Sequence, residues 1–212
     1  MARARARRTL ENTYRRFGFG LIAGVDEVGR GCLAGPVMAG AVVLRPDCYV
    51  AGICDSKALP ESARERLFDA IVAASVAWSV AAVEPDEIDR LNIYHASLEA
   101  MRLAVAGLRP SPGFVLVDAF RIPNLSIPQR AVIGGDRRST AIAAASILAK
   151  VTRDRVMRSL HARDPRYGFD RHKGYATRVH LEAVARFGYS PAHRKSFRPA
   201  SLFDTIADEP RH

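Results

Sequence analysis

Two adjacent carboxylates, Asp26 and Glu27, lie in the stretch GVDEVGRGCLAGPV at residues 24–37 and lead directly into a Gly29-Arg30-Gly31 turn. Two further acids stand at similar points of punctuation. Asp118 closes the apolar run GFVLVDA at 113–119, and Asp136 follows a Gly-Gly pair at the entry to a helical segment. Carboxylate oxygens are hard ligands that suit Mg²⁺ or Mn²⁺, whereas zinc favours Cys and His. The six histidines show no HExxH or paired-ligand spacing, and Cys32, Cys48 and Cys54 form no CxxC pair, so neither a zinc site nor a disulfide framework is indicated. Four such carboxylates could hold two ions about 4 Å apart, activating water on one side of a phosphate and stabilising the leaving oxygen on the other. Each acid alone has a plainer reading: Asp118 as a turn residue, Asp136 as a helix cap, Glu27 as a solvated strand end. Only their combination points to metal-dependent phosphodiester chemistry. The adjacent pair sets a geometric condition, because neighbouring side chains on a regular strand point to opposite faces; Asp26 and Glu27 are expected to share a site only if the chain bends there.

The charge pattern points to a polyanionic partner. The net charge is +10, distributed as +5 over residues 1–16, −4 over 17–129, +11 over 130–200 and −2 over the last twelve. A positive field concentrated in one segment suits nucleic acid. Arginine supplies 28 of the 32 basic residues, and a compositional bias would account for that preference, but not for a surplus placed after residue 129.

The elements needed to position the acids alternate between strand and helix. LIAGVDEV at 21–28 and VMAGAVVL at 37–44 read as strands joined around Gly29 to Pro36, with a third strand at 76–84. Between the second and third, a segment opened by Pro60 with Leu67, Ile71 and Ala74 at helical spacing predicts an amphipathic helix, and a second helix is expected over 93–108. The Val-rich run ending at Asp118 suits a buried parallel strand. Ser139 or Thr140 can cap a long helix from about 140 to 160, whose run AIAAASILAK should lie close against the sheet. The expected fold class is α/β, a central mixed β-sheet flanked by helices.

A chain of 212 residues, 48% of them hydrophobic, can bury a full core. Its apolar runs are too short to cross a bilayer, no signal-peptide stretch follows the basic start, and the odd cysteine count fits a reducing compartment; the expectation is a soluble, unexported, cytoplasmic protein. The expected organisation is a basic, disordered N-terminal tail over 1–18, one catalytic domain over 19–200 and a C-terminal tail over 201–212. Nothing in the sequence calls for more than a monomer.

The blocks GVDEVGRGCLAGPV, DSKAL (55–59), LNIYHAS (91–97), VLVDA (115–119), GGDRRSTAIAAASILAKVTRD (134–154), YGFDRHKGYATRVH (167–180) and HRKSFRP (193–199) keep their order along nearly the whole chain. Together they closely resemble bacterial ribonuclease HII. The resemblance implies an RNase H-like fold with a helical C-terminal part. It implies an endoribonuclease that cuts the RNA strand of RNA/DNA hybrids and incises duplex DNA 5′ of a single embedded ribonucleotide, leaving a 3′-hydroxyl and a 5′-phosphate, with roles in ribonucleotide removal and primer processing. Position by position it assigns Asp26, Glu27, Asp118 and Asp136 as catalytic, metal-binding carboxylates for Mg²⁺ or Mn²⁺. It places the main chain of Gly29, Arg30 and Gly31 against the ribonucleotide's 2′-hydroxyl, the group that separates RNA from DNA, and stacks Tyr175 on the following sugar. Lys57 joins the substrate-binding set. Lys150, Arg153, His172, Lys173, Arg194 and Lys195 are further candidates for holding phosphates, with pairing to acids inside the fold as the alternative for some of them, Arg153 near Asp154 above all. The related ribonuclease HIII has glutamate in the fourth acidic place and an extra N-terminal domain; Asp136 and the roughly twenty residues before the first strand resemble HII.

The sequence departs from the pattern at Ala119, where many members have glycine, and at Arg137-Arg138. Two other classes stay open on residues alone. One is another metal-dependent nuclease of the same fold, which substrate choice would separate. The other is a non-catalytic basic module, which would bind any duplex in a salt-sensitive way without cutting it.

Overall fold

The structure is a computed structural model and describes residues 8–53 and 59–197. Lys57, in DSKAL, lies outside the described residues. Five strands form one mixed sheet: β1 (Ile22–Val28), β2 (Val37–Leu44), β3 (Ser75–Val83), β4 (Phe114–Asp118) and β5 (Gln129–Val132), in the order β3-β2-β1-β4-β5. The β3-β2-β1 half is antiparallel and the β1-β4-β5 half is parallel. All eight residues of β2 are buried, which explains why that segment is apolar without alternation.

Helices cover both faces. On one side lies α4 (Ile93–Ala106), which is preceded by α3 (Pro85–Leu91); Ala96, Met101 and Ala104 of α4 bury against Val25, Val43, Val115 and Val117. On the other side lie α2 (Glu61–Ala73) and the long α6 (Thr140–Arg163). Within α2 the buried positions are Phe68 and Ile71. The N-cap of α6 is Ser139, whose side chain accepts the amide of Ile142.

Helix α6 rests on the sheet with almost no side-chain layer between them. A Cβ at Gly24 of β1 would come within 2.1 Å of the Ala141 carbonyl carbon, and one at Gly40 of β2 within 2.4 Å of the Ala145 oxygen. Small residues on both partners bring the two backbones together, as the alanine-rich run implied.

Three elements had weaker sequence signals. The edge strand β5 has only four residues, and just one of them is buried. Helix α3 starts with Pro85 at its first turn. Residues Thr9–Arg16, expected within a disordered tail, form helix α1. Tyr14 of α1 stacks on Phe114 with ring centroids 3.9 Å apart, and Glu11 is buried. Beyond α6 come a 3₁₀ turn (Pro165–Tyr167), α7 (Phe169–His172) and α8 (Arg178–Phe187), the helical C-terminal part expected from the sequence.

Because backbone, and not a mobile side chain, faces Gly24, Gly24→Ala is expected to destabilise the protein by at least about 3 kcal/mol, the upper part of the usual overpacking range, as measured by urea unfolding.

Candidate active site

The acids meet where the parallel strands end. Val25 of β1 pairs beside Val117 of β4, so the next residues, Asp26 and Asp118, emerge side by side on the same face. That is the α6 face, since Ser146 of α6 hydrogen-bonds the Asp26 carboxyl. The amide of Glu27 donates to Asp26 Oδ1 at 2.8 Å. Asp118 Oδ1 accepts the amide of Gly135 at 2.7 Å. A side chain at Gly135 would crowd both Asp118 and Ile142, so the Gly134-Gly135 pair is what lets that amide reach the carboxylate.

No bend brings Glu27 into the group, contrary to the expectation from strand alternation. Glu27 stays in register opposite Ala39 of β2. The ladder between β1 and β4 stops at Val117, while β1 continues to Val28. Asp26 and Glu27 therefore flank the open end of β4 from opposite faces of β1, and the charge of Asp118 acts on both.

Burial and mutual repulsion set the electrostatics. The Asp26 carboxyl is pushed well above the ordinary carboxylate range, first by burial and then by the charges of Glu27 and Asp118; the bonds from Ser146 and the Glu27 amide offset part of this. Burial also raises Glu27, opposed mainly by Arg30, whose guanidinium lies 3.3 Å from Oε1. Arg30 is further held over the Phe120 ring at 5.2 Å. Glu27 Oε2 is buried with no hydrogen-bond partner in the structure. An orphaned carboxylate oxygen beside two repelling acids fits a hard divalent cation, which would satisfy all three. Among the described residues no three acidic, histidine or cysteine side chains form a ready-made metal-ligand cluster.

Asp136 is partly exposed in the short helix α5 (Gly135–Arg138), one residue beyond the glycine that binds Asp118. The chain after Asp118 turns sharply, with Ala119 at φ +56° and the Phe120 amide bonded to the Asp118 carbonyl. The departure from glycine at 119 thus places a side chain in a left-handed conformation, a strain of roughly 1–2 kcal/mol.

The Gly29–Pro36 turn is built from behind by two buried arginines. Arg194 donates to the carbonyls of Gly29 (2.7 Å), Arg30 (2.9 Å) and Gly35 (2.8 Å), and Arg153 of α6 donates to those of Ala34 (3.0 Å), Pro36 (2.9 Å) and Lys173 (2.8 Å). Burial lowers the Arg194 pKa to about 10, so it keeps its charge at neutral pH. Both residues were candidates for phosphate contacts; both are fully buried struts instead. Lys150 pairs with buried Asp154 at 2.7 Å, and the ring nitrogens of His172 engage Tyr167 and Gly174. Lys173 turns its ammonium onto the carbonyl of Asp170. Only Lys195 of that basic group is exposed. Single-residue bridges join Cys32 to Tyr175 and Ala34 to His193, so Tyr175, 43% exposed, stands beside the turn. The buried His180 and His193 meet at 3.0 Å through their Nε2 atoms, and burial lowers both to about 4, leaving them neutral at physiological pH.

A mixed five-stranded sheet with carboxylates at the ends of two adjacent parallel strands, and a helix laid directly across it, defines the class of ribonuclease H-type nucleases. The family model for ribonuclease HII matches residues 23–200, and the chain belongs to that family. Ribonuclease HII of Nocardia farcinica is 51% identical over 200 residues, covering 93% of this chain and 80% of its own length. The Mycobacterium bovis protein of the same name is 52% identical over 195 residues, 91% of this chain and 74% of its own. Among solved structures, ribonuclease H2 from Pyrococcus horikoshii superposes with a TM-score of 0.73 at 26% identity, covering 89% of this chain and all of that one. RNase HII from Archaeoglobus fulgidus, solved in complex with PCNA, gives 0.69 at 25% identity over 82% and 92% of the two chains. The protein is thus a nuclease of ribonuclease H type, from a metal-dependent family. No helix among the described residues is long and apolar enough to cross a membrane.

A carboxyl whose folded-state pKa is raised contributes stability at pH below its unfolded value, and that contribution is lost as pH rises through the folded value. Metal-free Asp26→Asn is therefore expected to melt above the parent protein at neutral pH, with the gap closing as pH falls. Calorimetry in EDTA checks this. Added Mg²⁺ or Mn²⁺ should raise the parent's melting temperature and leave the variant nearly unmoved.

Proposed function

We propose that this ribonuclease H hydrolyses the RNA strand of RNA/DNA hybrids and also incises duplex DNA 5′ of a single embedded ribonucleotide, leaving a 3′-hydroxyl and a 5′-phosphate. The observation that carries the reading is the carboxylate group at the open end of β4, with an orphaned Glu27 oxygen, set beside a turn whose main chain is fixed from within. Asp26, Glu27, Asp118 and Asp136 would hold the divalent ions. When bound, two such ions supply an activated water and charge stabilisation for the leaving oxygen. The residues of the chain provide placement: the Gly135 amide orients Asp118, and Arg30 restrains Glu27. In this reading the Gly29–Gly31 main chain meets the 2′-hydroxyl, Tyr175 packs on the neighbouring sugar, and Lys57 contributes a phosphate contact.

The two glycines of the turn divide structure from recognition. Gly29 has φ +89°, and a Cβ there would lie 2.2 Å from Arg153 Nε. Gly31 is exposed, has no left-handed φ, and a Cβ on it would meet nothing within 4 Å. The protein itself makes no demand for glycine at 31, so a close-approaching substrate supplies the reason. Gly31→Ala is expected to fold with an unchanged melting temperature yet lose about 10²-fold in cleavage, the cost of displacing a reacting group by roughly 1 Å. Gly29→Ala should lose stability as well.

The decisive assay uses duplex DNA bearing one ribonucleotide, with Mg²⁺ or Mn²⁺, beside an all-DNA duplex and an Asp118→Asn control. A single cut 5′ of the ribonucleotide, absent from both controls, is expected. Salt-sensitive binding without any cut would reverse the proposal in favour of a binding module.

A further inference from the structure

Helix α1 precedes the residues matched by the family model, which begin at residue 23. Its one buried acid, Glu11, is 2% exposed and sits at the junction between α5 and α6. Glu11 Oε1 accepts from the Ser139 hydroxyl at 2.7 Å and from the Ala141 amide at 2.8 Å. Ser139 is a knot in the chain. Its amide closes α5 on the Gly135 carbonyl at 2.8 Å, and its hydroxyl oxygen caps α6 at Ile142. The amide of Gly135 in turn donates to Asp118 Oδ1.

The result is an unbroken hydrogen-bonded line from Glu11 through Ser139 and Gly135 to Asp118, spanning the four residues that carry Asp136. A carboxylate held against the first amides of a helix is also favoured by the helix dipole, which strengthens the link. Tyr14, on the same helix, stacks on Phe114 at the other end of the strand that finishes in Asp118. Helix α1 therefore grips β4 at its start and, through α5, at its end.

We propose that Glu11 is a positioning residue for Asp118 and Asp136, and that α1 is a working part of the nuclease; this rests on the reading of those two acids as metal-binding. Groups that orient a metal's ligands typically carry about 10- to 100-fold of metal affinity or activity when removed.

The test compares Glu11→Ala with Glu11→Gln, which keeps an oxygen for Ser139 and Ala141. Mn²⁺ affinity is measured by EPR titration of the full chain, and hybrid cleavage is measured well below each variant's melting temperature. For Glu11→Ala, Mn²⁺ affinity and kcat should each fall about tenfold with KM for the hybrid unchanged, while Glu11→Gln stays near the parent, as expected for a ligand-orienting residue. A folded Glu11→Ala protein with parental Mn²⁺ affinity and kcat would overturn the proposal and leave α1 a packing element. Should Glu11→Ala fail to fold, Ser139→Ala removes the hydroxyl bond to Glu11, together with the α6 cap at Ile142, and is read by the same two measurements. The Mn²⁺ titration stands apart from cleavage: a parent that binds Mn²⁺ but cuts no ribonucleotide-containing substrate would sink the functional reading and leave the role of Glu11 to be decided by affinity alone.

Discussion

The turn from Gly29 to Pro36 depends on two buried guanidinium groups. Arg153 and Arg194 are fully buried cations satisfied by main-chain carbonyls between residues 29 and 36 and at 173. A planar fork of five donors can bind several carbonyls at fixed angles, which a lysine cannot do. The turn therefore has its carbonyls committed inward, and its exposed edge at Gly31 is left to face outward. Removing either guanidinium would leave several carbonyls buried and unpaired, each costing about 1–3 kcal/mol.

The second constraint works against the fold. Three acids are collected at one end of the sheet, and burial raises the pKa of Asp26 and Glu27. A site that is unfavourable without its cation binds that cation more tightly, because ion binding relieves the repulsion. The stability lost there is offset by the close-packed core of β1, β2 and α6, where glycine faces alanine backbone to backbone. Ala119 in a left-handed conformation, immediately after Asp118, is a smaller instance of strain beside these acids.

Much of this was legible in the residues. The strands at 22–28, 37–44 and 114–118 follow from hydrophobic runs bounded by glycine and proline, and α6 from its cap and its alanines. The four carboxylates stood out because each lies where an element begins or ends. What misled was charge taken without burial. Arg153, Arg194, Lys150 and Lys173 read as phosphate ligands in a basic segment, yet each is committed to an internal carbonyl or carboxylate. Thr9–Arg16 read as part of a tail because six arginines crowd residues 1–16; the signal that could have corrected this was a single glutamate with Tyr14 three residues later.

Local sequence determined the elements, the acidic residues and the family, because periodicity, punctuation and residue chemistry are properties of neighbouring positions. Tertiary structure alone decided which charges face water and which are struts, how Asp26 and Glu27 flank the end of β4 from opposite faces of a straight strand, and that Glu11, Ser139 and Asp118 join one hydrogen-bonded line while Arg194 backs the turn at Gly29. Those facts depend on burial and on where β4 stops, and both are set only when distant segments pack together.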